Sequence, residues 1–401
     1  MQHPFHVIVI GTSAGGMPAL CQLVARLPAD LPAAVLIVQH FAPDSSGQHL
    51  IDRLARNTPL RCRLPVNGEE VTPGTLYLAP PDRHMLLKDG VVLITKGPHE
   101  NHYRPAADAL FRSAAAYYGP NATGVVLTGM LHDGTAGLEL IKRAGGRAVV
   151  QDPLEAEFPS MPESALSNVA IDHVVPLLEM GALLRQLVQT PVASLEAIPE
   201  DIQQEAAIAE RVVGTIEEIN QLGTSIPMSC PDCGGSLWEL KSGKVLRYRC
   251  HTGHSYTGDF LLQRTQHGLE ESLWVALRML EERKNLLTNM GSRMLGSMSV
   301  QQEERVGEIK THINRLREFL LSGSNEAING YGGGHNNPVG SLAQSSFGSG
   351  SGSDERIPDL EPIQIGIIFG YGNDSRIHHF RCLVGASAAA AAGAYPEGSS
   401  P

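Results

Sequence analysis

The chain has 401 residues, 42% of them apolar and 18% charged, with a formal net charge of −11 at pH 7. That length predicts about two to four structural units with enough apolar surface for a sizeable core. The acidic balance gives no general reason to bind nucleic acid or an anionic membrane, and no apolar run approaches the ~18 residues that would cross a bilayer, so neither partner is expected.

Residues 5–190 alternate short β-branched runs with segments of helical spacing. His6–Ile10, Ala34–Val38, Gly124–Leu127 and Arg147–Val150 are nearly continuously apolar, as strands buried on both faces are. Gly15–Leu27 carries apolar residues at helical spacing. Thr75–Thr95 reads as antiparallel, with a hairpin turn at Asp89-Gly90. The pattern predicts an α/β fold: a doubly wound, mostly parallel sheet with helices on both faces and an antiparallel hairpin. Ile202, Ala206, Ala209, Val213, Ile216 and Ile219 mark one face of a Glu-rich helix in a connector spanning 191–227. Residues 228–257 hold a Cys/His group. Over 258–321, Leu269, Leu273, Ala276, Leu280 and Leu287 form one stripe, and Val306, Ile309, Ile313, Leu316 and Leu320 another. These predict a helical hairpin or short coiled coil bending near Gly291–Ser299, its stripes packing on each other or on a signalling partner. From Ser322 to Pro401 the composition turns to Gly, Ser and Asn, as in a flexible linker, with Ile363–Tyr371 a lone apolar patch.

The six cysteines are too sparse for a disulfide framework, which points to a reduced, cytoplasmic setting. Cys21 lies on the apolar face of the first helix, as a core residue does. Cys230-Pro-Asp-Cys233 and Cys250-His-Thr-Gly-His254 are separated by two short strand-like runs around Ser242-Gly243. Two paired donors at that spacing suit one tetrahedral ion, so a zinc-ribbon-like module with a structural zinc is expected on Cys230, Cys233, Cys250 and His254, with His251 the alternative fourth ligand. A redox Cys-x-x-Cys should open a helix, which Gly234-Gly235 oppose.

Three strand ends carry possible chemistry. Gly11-Thr-Ser-Ala-Gly-Gly16 lies between a strand and a helix. Ser13 on that turn is a nucleophile, part of a phosphate loop, or a residue of an ordinary βα turn; the dinucleotide pattern G-x-G-x-x-G is broken by Ser at its second Gly. His40 ends the second strand and is a general base or a turn histidine. Asp133, in Leu127-Thr-Gly-Met-Leu-His-Asp-Gly134, orients a histidine or caps the next helix, and His132 beside it is a rival base.

Val9–Gly16, Val38–Phe41, Tyr103–Phe111, Leu127–Met130 with Asp133-Gly134, and Met161-Pro162 resemble, in order, the catalytic domain of CheB-type protein-glutamate methylesterases, over about residues 5–190. The resemblance implies a serine hydrolase, with no cofactor for catalysis. It would act on glutamyl γ-methyl esters of chemoreceptor-like proteins, giving glutamate and methanol, and could deamidate glutamine. Ser13 would be the nucleophile, His40 the base and acid, Asp133 its orienting residue, and the Met130 N–H part of the oxyanion hole; the geometry of the turn adds the Ala14 N–H. On this reading residues 1–190 form the catalytic unit. Two departures stand out. The resemblance begins at about residue 5, so control by a phosphorylatable receiver in front of it is not expected, and Leu131 follows Met130 where the family commonly has Gly. The other reading is a regulatory or scaffolding protein that keeps the fold and binds partners through its C-terminal half. Arg104 and Arg112, in or beside the Arg-Pro segment, make structural salt bridges or orient a carboxylate.

Overall fold

The computed structural model describes residues 5–191, 197–294 and 299–329. The chain opens with β1 (His6–Thr12), α1 (Gly16–Val24), β2 (Ala33–Gln39) and α2 (Gly47–Ala55). Strands β3 (Arg61–Arg63), β4 (Glu69–Glu70), β5 (Thr75–Leu78), β6 (His84–Lys88) and β7 (Val91–Thr95) follow. Next come α3 (Ala107–Tyr118), β8 (Ala122–Val126), α4 (Thr135–Arg143), β9 (Arg147–Gln151), α5 (Ser160–Asn168), β10 (His173–Val175) and α6 (Leu177–Gln189).

Seven of these strands form one parallel sheet in the order β10-β9-β8-β1-β2-β5-β3. Alternate side chains of each strand enter opposite cores. Val7 and Val9 face α3, α4 and α5, while Ile8 and Ile10 face α1, α2 and α6. Burial on both faces is the physical reason these strands read as unbroken apolar runs. The doubly wound α/β fold is therefore the one the sequence predicts. Asp89 and Gly90 both take positive φ, 45° and 84°, as a tight hairpin turn between β6 and β7 requires. Thr75–Leu78 departs from expectation: it is not antiparallel but lies between β2 and β3 in the parallel sheet, and the antiparallel sheet here is β4-β7-β6.

The single Glu-rich helix is also two. Helix α7 (Glu200–Arg211) ends at Val212, whose φ is 73°, and α8 (Ile216–Leu222) restarts behind a Thr215/Glu218 capping box. Strands β11 (Gly223–Ser229), β12 (Ser236–Leu240), β13 (Arg247–Cys250) and β14 (Ser255–Thr257) form an antiparallel sheet in chain order. Helices α9 (Gly258–Met294) and α10 (Val300–Asn329) then pack as a hairpin. Leu273, Leu280 and Leu287 meet Ile309, Ile313, Leu316 and Leu320 as expected, but Leu277 replaces Ala276 in the seam and Leu269 is exposed. Helix α10 runs eight residues past the expected boundary at 321. The apolar patch Ile363–Tyr371 and Cys382 lie outside the described residues.

Candidate active site

The order of the parallel sheet reverses between β1 and β8, and the crevice at the carboxyl ends of such strands is where open α/β sheets bind ligands. Three segments leave the sheet there. Thr12 pairs with Gln39 in register, so Ser13 and His40 follow adjacent strand ends, and the His40 amide donates to Thr12 O at 3.1 Å. The Ser13 amide donates to Thr128 O at 3.1 Å, joining β1 to the segment after β8. Gly129 packs against Ser13 and Met161; a Cβ there would lie 2.9 Å from that of Ser13 and collide with the Met161 sulfur.

His40 Nε2 lies 2.8 Å from Asp133 Oδ2. His40 Nδ1 is buried without a partner. The Ser13 hydroxyl makes no hydrogen bond to a described residue, and neither do the amides of Ala14 and Met130. One imidazole nitrogen, one hydroxyl and two N–H donors are thus free at one end of the sheet. That is the set an acyl transfer needs.

Asp133 is fully buried. It does not cap α4, whose N-cap is Gly134; instead its carboxylate accepts from the Ala107 and Asp108 amides at 2.6 and 3.2 Å, the first turn of α3. The positive end of that helix faces the carboxylate. Behind it, Asp108 accepts from the Gly137 amide at 2.6 Å and the Asn101 side chain at 2.8 Å. Burial, and next the Asp133 charge, push the Asp108 carboxyl well above the usual range. His132 is not drawn into this network: neither ring nitrogen has a partner, and burial lowers its pKa despite the Asp259 charge nearby.

Several residues shape the site through contacts that the motifs containing them do not show. Gln39 Nε2 donates to the carbonyls of both Ser13 and His40 at 2.8 Å. Thr128 Oγ1 donates to Ala14 O at 3.1 Å and accepts from the Phe158 amide at 2.9 Å. Tyr103 stacks on His40. Arg112 pairs in the core with Glu100, Nη1 to Oε2 at 3.0 Å, and Arg104 pairs with Asp82, so both arginines are engaged in ion pairs. Burial would raise the Glu100 carboxyl, but the charges of Arg112 and Arg249 hold it at about 2.

In the four-stranded sheet β11–β14, called the second sheet below, the sulfurs of Cys230, Cys233 and Cys250 and the His254 imidazole all lie within 4.8 Å of one another. Cys233 Sγ and Cys250 Sγ are 3.8 Å apart, and His254 Nδ1 lies 3.7 and 3.5 Å from the sulfurs of Cys230 and Cys250. The edge of a tetrahedron with ~2.3 Å metal–sulfur bonds is about 3.8 Å, so three thiols and one imidazole are spaced for a zinc ion. Two tight turns present them, closed by Gly234 N to Cys230 O at 2.8 Å and Gly253 N to Cys250 O at 3.0 Å. His251 stands outside this cluster, against Gly235.

A family model described as CheB methylesterase matches residues 8–184. A protein-glutamate methylesterase/protein-glutamine glutaminase of Photorhabdus laumondii is 41% identical over 179 residues, 44% of this chain and 51% of that protein. A putative protein-glutamate methylesterase/protein-glutamine glutaminase of Leptospira interrogans is 37% identical over 188 residues, 46% of this chain and 96% of that protein. The crystal structure of the Thermotoga maritima CheB methylesterase catalytic domain is 33% identical, covering 46% of this chain and all of that one, with a TM-score of 0.45. The matched region spans about half the Photorhabdus protein and nearly all of the Leptospira one. With a relative matched over almost its whole length, this chain belongs to the CheB methylesterase family.

Proposed function

We propose that the chain is a protein-glutamate methylesterase that hydrolyses γ-methyl esters on the glutamates of a chemoreceptor-like protein. The observation that carries this is the pairing of His40 Nε2 with buried Asp133 while His40 Nδ1 is left free beside the strand end that bears Ser13. Ser13 Oγ attacks the ester carbonyl as His40 Nδ1 takes its proton. The tetrahedral oxyanion accepts hydrogen bonds from the Ala14 and Met130 amides. The C–O bond to the methoxy group then breaks, and His40 returns the proton to it as methanol. Water, deprotonated by His40, attacks the acyl-serine; the bond from the acyl carbon to Ser13 Oγ breaks, His40 returns the proton to that oxygen, and glutamate is released. Asp133 accepts the Nε2–H throughout, fixing the tautomer and stabilising the imidazolium. With glutamine as substrate the leaving group is ammonia and the steps are the same.

A zinc ion on Cys230, Cys233, Cys250 and His254 is part of the proposal, supported by the donor set and its spacing. With four protein ligands it would leave no position open for substrate, so its place is structural. A cytoplasmic setting fits the free cysteines and the lack, among the described residues, of a helix long and apolar enough to cross a membrane. A scaffolding role through the helical half is the second reading, favoured by the exposed Val275, Met279, Leu286 and Met290 along one side of α9.

The deciding experiment is methanol release from methylated chemoreceptor membranes by the wild type and Ser13→Ala. Release by the wild type alone supports the esterase. Silence from both, with no labelling of Ser13 by a serine-reactive phosphonate, would favour the scaffold.

A further inference from the structure

The second sheet sits against both sides of the candidate catalytic centre, and nothing in the proposed chemistry requires that. On one side, the turn Glu100–Tyr103 is bridged to β14: the Asn101 amide donates to Ser255 O at 2.8 Å, and the Thr257 amide donates to Asn101 Oδ1 at 3.0 Å. Asn101 is buried, and its side-chain amide donates onward to Asp108 Oδ2 at 2.8 Å. Asp108 in turn offers its own amide to Asp133. An unbroken run of hydrogen bonds therefore joins β14 to the partner of His40. The same turn carries Tyr103, which stacks on His40.

On the other side, Leu131 follows Met130 directly. Its φ is 68°, a left-handed conformation that favours glycine and strains a leucine. Its side chain packs into the small core of the second sheet with Cys230, Leu237, Cys250, Tyr256 and Phe260. The strained backbone of Leu131 is tied to Ser160, whose Oγ accepts from its amide at 3.1 Å and donates to its carbonyl at 3.3 Å, and the side-chain contacts with the sheet add a second hold. The sheet is itself anchored to the larger fold. Arg247 Nη1 donates to buried Glu205 at 2.8 Å, and Glu139 of α4 accepts from the Lys244 and Val245 amides.

We propose that the Cys/His sheet braces the catalytic centre, with Asn101 and Leu131 as positioning residues, the first acting on the His40–Asp133 pair and the second on the Met130 amide. The proposal rests on the esterase reading above. It differs from a purely structural role for the sheet because it assigns the effect to two side chains whose removal need not unfold anything.

Glycine is the informative substitution at both positions. Asn101 and Leu131 both have positive φ, 47° and 68°, so glycine deletes the side-chain contacts while keeping the backbone at ease and leaving the main-chain bonds to Ser255 and Ser160 in place. Asn101→Gly and Leu131→Gly, in the full chain, are compared with the wild type and Ser13→Ala at a temperature where circular dichroism shows each folded. Three quantities are read: the rate of Ser13 labelling by a fluorophosphonate, kcat and KM. Labelling and kcat are expected to fall at least tenfold with KM within twofold, and Leu131→Met, which retains an apolar side chain, is expected to stay within threefold of the wild type. Should a glycine variant not fold, Leu131→Ala takes its place. Labelling and kcat within twofold of the wild type, or a loss confined to KM, would overturn the brace. A wild type that neither labels nor releases methanol would remove the esterase reading and the brace together, whereas a reactive wild type with unimpaired variants removes the brace alone.

Discussion

The ring of Tyr103 lies flat on the imidazole of His40, with centroids 3.7 Å apart and planes within 8° of parallel. A base that must accept and return a proton without turning gains from such a lid, because the ring can rotate only by giving up the stack. Tyr103 is therefore expected to matter through its face and not through its hydroxyl. A stack of this kind contributes about 1 kcal/mol, so Tyr103→Ala should lower kcat roughly fivefold, while Tyr103→Phe stays near the wild type. Steady-state methanol release by the two variants checks this; equal loss in both would assign the effect to the hydroxyl.

Asp133 serves two masters, the His40 imidazole and the first turn of α3. Asp133→Asn offers an amide where both neighbours need an acceptor, so it should hurt twice. Activity is expected to fall by about 10³-fold or more through loss of the correct tautomer. The melting midpoint should fall as well, because the two α3 amides lose a charged acceptor. An inactive variant with an unchanged midpoint would confine the role of Asp133 to His40.

Glu100 gives a prediction in pH. Its carboxyl is held at about 2 in the folded chain against an ordinary 4.5, by Arg112 and Arg249 acting against burial. A depressed folded value means the stabilisation is fully present above the ordinary value and fades as pH drops from about 4.5 toward about 2. Melting midpoints recorded across that window should decline in the wild type and decline less steeply in Glu100→Gln. At neutral pH the variant leaves Arg112 buried without its counter-charge and should be less stable by about 3–5 kcal/mol.

The Cys/His cluster predicts about one zinc per chain by elemental analysis. Cys233→Ser should lower the zinc content and the melting midpoint together, since binding to the folded state alone stabilises it. A metal-free chain with native amide protection throughout residues 228–257 would contradict the structural zinc.

Much of the fold was legible because burial on both faces leaves a plain mark: His6–Ile10 and Ala34–Val38 are unbroken apolar runs and could hardly be anything but central strands. Thr75–Leu78 was misread because a four-residue run beside a true hairpin carries no sign of which sheet it joins. The break between α7 and α8 did leave a signal in Thr215-Ile-Glu-Glu218, a capping box inside what otherwise reads as one helical face. In the candidate site, Ser13, His40 and Asp133 stand out because each lies in a segment that follows an apolar strand, next to glycine or a turn. Asn101 carries no such mark, and Gln39 and Tyr103 are visible only inside longer motifs that do not show what they touch. Their partners lie on other elements, and Asn101 reaches Thr257 across more than 150 positions of chain, a distance no local pattern spans.

The hydrogen bonds between Asn101 and β14 also impose an order on synthesis. A ribosome makes the chain from its N-terminus, and every strand of the parallel sheet is available long before Ser255 and Thr257 emerge. Until then the turn that carries Tyr103 has no edge to dock on, and Leu131 has no apolar neighbours from the second sheet. The nascent protein thus passes through an interval in which its α/β half can fold while its candidate active centre is still unfinished.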